Sequence, residues 1–140
     1  MSTTRPSDDD FVVHVPPPGD AVALRRIDDA VDLVFLLQPV EDALVALCDE
    51  HRHVLLVVET SPSHLLDVAD LAGRVDAVCA AVVFTCGPVD DAPPEDAIVA
   101  WHRLSAAYER HGLDLLDWLQ VDDVRVRSLA ETAGLGSPWP

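Results

Sequence analysis

Apolar runs and turn residues divide this chain into alternating strand-like and helix-like segments. Residues 53–59 (HVLLVVE), closed by the TSPS turn at 60–63, and residues 78–84 (VCAAVVF) are short and almost continuously apolar, as strands buried on both faces are. Between them Leu65, Leu66, Val68, Ala69 and Ala72 recur at helical spacing and predict a helix that Gly73 ends. Gly87, Pro88, Pro93 and Pro94, interleaved with Asp90 and Asp91, make residues 86–94 a loop. A second helix opens at Pro94, with Glu95 and Asp96 at the positive end of its dipole. Ile98, Trp101, Leu104 and Tyr108 give it one apolar stripe before Gly112 ends it. Residues 113–121 then predict a strand, Asp122 and Asp123 a tight turn, and residues 124–129 its antiparallel partner, a C-terminal β-hairpin.

The N-terminal third is less regular. Residues 11–15 (FVVHV) run into Pro16, Pro17, Pro18 and Gly19, which remove main-chain donors, so this run is at most an edge strand or a tethered arm. Residues 21–27 predict a short strand. Asp28 and Asp29 cap a helix through residues 30–37 that Pro39 stops, and Val40, Leu44, Leu47 and Cys48 predict a further helix by their spacing. The organisation expected is a flexible acidic and Pro-rich arm at 1–20, a single α/β domain at 21–133 and a loose tail at 134–140.

Composition narrows the function classes. With 140 residues, 49% of them hydrophobic, the chain can bury one substantial core. Its 25 acidic against nine basic side chains, a formal net charge of -16, leave no electrostatic footprint for phosphates, so a nucleic-acid partner is not expected. Neither an apolar leader nor an apolar run of membrane-spanning length is visible, so a cytoplasmic protein without a membrane partner is expected. Cys48, Cys79 and Cys86 are odd in number and not closely paired, which reads as free thiols rather than a disulfide framework.

Two stretches carry a family resemblance. Residues 78–85 (VCAAVVFT) and residues 94–129, with their order of helix, Gly112, LDLLD at 113–117, short turn and a final strand ending in Ser128 and Leu129, resemble the end of RadC-like JAB domains. The resemblance covers about residues 28–135 and implies a three-layer α-β-α fold with a mixed sheet. Family members with an intact site carry zinc on two histidines and an aspartate, with a glutamate assisting a metal-bound water. Carried over, the ligand places fall on Phe84, Cys86 and Ala97, and the glutamate on Glu50. Phenylalanine and alanine cannot bind a metal, and a carboxylate at Glu50 has no metal-bound water to deprotonate. The resemblance thus implies a degenerate domain with no catalytic residue and no cofactor, acting through a protein partner or as a homodimer.

The competing expectation is a metal-dependent amide or isopeptide hydrolase whose site is rebuilt from Cys86 with Asp96 or a histidine. A third is another small α/β domain, in which the final hairpin would not lie beside strand 78–84. His51 and His53, followed by Ser61 and His64, imitate the family's ligand spacing, but they precede a buried strand where the family needs them after one. A nucleophilic Cys86 would need a base, and His102 faces away if Trp101 lies on the buried stripe. No phosphate-binding glycine motif occurs. Trp118, the Asp90 and Asp91 loop and the Pro-rich arm are the candidate contact points for a partner.

Overall fold

A computed structural model of the chain describes residues 12–14, 23–37, 43–61, 64–86, 94–121 and 126–132. Strands β1 (Val12–His14), β2 (Ala43–Cys48), β3 (Val54–Thr60), β4 (Ala80–Cys86), β5 (Asp114–Val121) and β6 (Val126–Ser128) form one sheet in the order β1-β3-β2-β4-β5-β6. Helices α1 (Ile27–Leu37), α2 (Leu65–Ala72), α3 (Pro94–Arg110) and α4 (Leu129–Thr132) complete the described elements. The sheet is mixed: β4 and β5 run parallel and the other pairs antiparallel. Helix α3 lies in the crossover that a parallel pair requires.

Strand β2 corrects the sequence reading. The spacing of Leu44, Leu47 and Cys48 predicts a helix there, yet residues 43–48 are a strand with all six side chains buried. An apolar run of this length contains no polar position to reveal its period, so neighbours decide its state. Here β3 and β4 pair with its two edges. Ala43, Val45 and Leu47 join a core with residues of α2, α3 and α4, while Leu44, Ala46 and Cys48 join a second core with Ala30 and Leu33 of α1. Helices therefore cover both faces of an α/β sheet, and the central strand is apolar because both its faces are dry.

Three smaller corrections follow from local hydrogen bonding. The strand expected at 21–27 is reduced, among the described residues, to a bridge between Ala23 and His53, with the Leu24 N–H donating to the Arg52 carbonyl. Helix α1 already begins at Ile27, because the Asp29 carboxylate accepts from the N–H groups of Arg25 and Arg26 at 3.2 and 3.0 Å and so satisfies donors ahead of the first turn. At the other end, Leu129 belongs to α4 and not to the last strand. Ser128 caps this helix, its hydroxyl accepting from the Glu131 N–H at 3.3 Å.

The remaining elements stand close to where the sequence puts them. The apolar stripe of α3 is buried at Trp101, Leu104 and Tyr108, and the Tyr108 hydroxyl donates to the Leu65 carbonyl at 3.0 Å, tying α3 to the start of α2. Gly112, at a φ of +77°, turns the chain from α3 into β5; its N–H donates to the Glu109 carbonyl and the Leu113 N–H to that of Tyr108. Val12–His14 is an edge strand on β3. The readings made for residues 1–11, 15–22, 38–42, 62–63, 87–93, 122–125 and 133–140 lie outside the described residues.

Candidate functional site

Strand β4 contains most of the 78–85 run that carries the resemblance, and Phe84 and Cys86 lie at its C-terminal end. Phe84 is wholly buried, with Leu44 of β2 and Leu119 of β5 as its register neighbours in the core beneath α1. A phenyl ring there supplies packing and no donor atom. Cys86 is the last residue of β4, while Asp96 and Ala97 belong to the first turns of α3. Chain order alone brings these positions to one end of the domain. Among the described residues no group of three or more His, Cys, Asp or Glu side chains stands where a metal ion could be held.

Glu50 is not part of this end. It follows β2 in the turn to β3, and because β2 runs antiparallel to β4 with Cys48 opposite Ala80 and Leu44 opposite Phe84, Glu50 lies at the other end of β4. At about 3.3 Å per residue it is on the order of 20 Å from Cys86. The same geometry separates Cys79 from Cys86, and separates His51 and His53, before β3, from Ser61 and His64, after it. The imitation of a ligand set by those histidines is thus a coincidence of spacing.

The turn that holds Glu50 is built around Asp49. The Arg52 N–H donates to the Asp49 carbonyl at 3.1 Å, and Arg52 itself adopts a φ of +64°, which gives a tight turn followed by a left-handed residue. The Asp49 carboxylate accepts from the N–H groups of His51 and His53, both at 2.9 Å. These donors, led by the His53 N–H, hold its pKa below the ordinary aspartate value. Beside the turn is an open pocket of about 510 Å³ lined by Asp49, Glu50, His51, Ala77, Val78 and Cys79.

Electrostatics there oppose thiol chemistry. Burial, followed by the negative charges of Glu50, Asp49 and Asp114, raises the pKa of Cys79. Burial, aided by Asp49 and Cys79, pushes the Cys48 thiol up to about 12. A nucleophilic cysteine needs the opposite environment, one that favours thiolate. On α3, His102 is exposed while Trp101 is buried, so the histidine lies off the stripe that packs on the sheet.

Two polar features escape a reading by motif. In β5 an alternation of buried positions includes Asp117, whose carboxylate accepts from the Ser128 hydroxyl, the Trp118 N–H and the Ala130 N–H. Polar alternation does not mark it in the sequence, because Leu116, Asp117 and Trp118 break the pattern there. Across the sheet, Thr60, Ala43, Thr85 and Gln120 occupy one transverse register row. Trp118, half-buried, donates from its Nε1 to Thr85 Oγ1 at 3.0 Å. Thr60 Oγ1 and Gln120 Oε1 are buried without a hydrogen-bond partner among the described residues.

Among the described residues, no helix is long and apolar enough to cross a membrane. Compared with known proteins, the chain matches no family model and no curated relative.

Proposed function

We propose that this chain is a degenerate JAB-like domain that serves as a non-catalytic protein-interaction or dimerisation module. The observation that carries this reading is Phe84. The resemblance assigns that position to a metal ligand, and a fully buried phenyl ring occupies it, packed between strands β2 and β5. The surrounding architecture supports the same reading, since β4, α3 and β5 form a parallel crossover unit closed by β6, with β5 beside β4. The thiols at the far end of the sheet add no alternative nucleophile, because their surroundings favour the protonated form. Partners, on this reading, are a protein or a second copy of the chain, and no cofactor is needed.

The test is metal content after purification without added metal or chelator, followed by a zinc titration monitored by thermal unfolding. Metal-free protein with an unchanged Tm is the expected result. Near-stoichiometric zinc that raises the Tm overturns the proposal and favours the hydrolase with a site rebuilt around Cys86.

A further inference from the structure

We draw no further inference here: the strongest candidate, the open pocket of about 510 Å³ beside the turn from β2 to β3, has as its polar lining only the acidic pair Asp49 and Glu50 with His51 and a single cysteine, Cys79, the Asp49 carboxylate is already engaged by the N–H groups of His51 and His53, and nothing among the described residues shows what would occupy it.

Discussion

The Ser128 hydroxyl donates to the buried Asp117 carboxylate at 2.7 Å, joining the last strand to the one beside it. Asp117 also accepts from the Ala130 N–H at 3.2 Å, while Ser128 accepts from the Glu131 N–H at 3.3 Å. One carboxylate and one hydroxyl thereby satisfy two donors in the first turn of α4 and fix the turn from β6 into that helix. Within the 94–129 stretch, LDLLD at 113–117 and Ser128 with Leu129 are thus one physical unit.

Removing either side of this link has unequal consequences. Asp117→Ala leaves the Ser128 hydroxyl and the N–H groups of Trp118 and Ala130 without this acceptor, and is expected to cost about 3 kcal/mol or more. Ser128→Ala removes one donor to a carboxylate that keeps the other two and deletes the cap of α4, for about 1–2 kcal/mol. Urea unfolding of both variants checks the order, with Asp117→Ala the less stable.

Acid is expected to loosen the turn between β2 and β3. The Asp49 carboxylate accepts the N–H groups of His51 and His53, which lowers its pKa from the ordinary value of 3.8. A group with a lowered folded pKa contributes stability that is present above its unfolded pKa and lost as pH falls through the folded one. Loss of protection at these two amides is therefore expected below about pH 4. Asp49→Asn keeps an acceptor oxygen and has no carboxylate to protonate, so amide exchange followed from pH 6 to pH 3 should show a flatter profile for this variant.

The contrast between β2 and β5 shows what the sequence can reveal. In β5, Asp114 and Gln120 alternate with Leu113, Leu115, Leu119 and Val121 at the two ends of the strand, while Leu116, Asp117 and Trp118 break the pattern between them, so the strand is legible but the inward place of Asp117 is not. In β2 the run Ala-Leu-Val-Ala-Leu-Cys offers no contrast, and only pairing with β3 and β4 distinguishes strand from helix. The candidate site suffers from the same cause. Reading a helix at β2 hides the antiparallel step that carries Glu50 to the far end of β4, away from Phe84 and Cys86. Strand β4 itself was readable because its apolar run is bounded by Gly87 and Pro88.

Phe84 is a packing residue in this chain, and truncation tests that. It is fully buried, and Phe84→Ala opens a cavity between Leu44 and Leu119, at an expected cost of about 3–5 kcal/mol. Phe84→Leu retains most of the volume and is expected to cost much less. Thermal unfolding of the two variants distinguishes a core position from a tolerant surface one.

Thiol reactivity should follow burial. Cys48 is fully buried and its pKa is pushed up to about 12, so alkylation of the folded protein at neutral pH is expected to leave it unmodified. Cys79 is half-buried beside the open pocket, and its raised pKa slows its alkylation relative to a free thiol without preventing it. Pulsed alkylation with peptide mapping should find label at Cys79 first and at Cys48 only after denaturation.

The buried hydroxyl of Thr60 stabilises nothing that the described residues show. Thr60 is fully buried in β3, and its Oγ1 has no hydrogen-bond partner among them. Valine has nearly the same shape, the same β-branched preference for a strand and no polar atom to desolvate. Thr60→Val is therefore expected to raise stability by about 1 kcal/mol. Urea unfolding should show a higher midpoint with an unchanged m-value; a lower midpoint would mean that the hydroxyl has a partner in the folded protein.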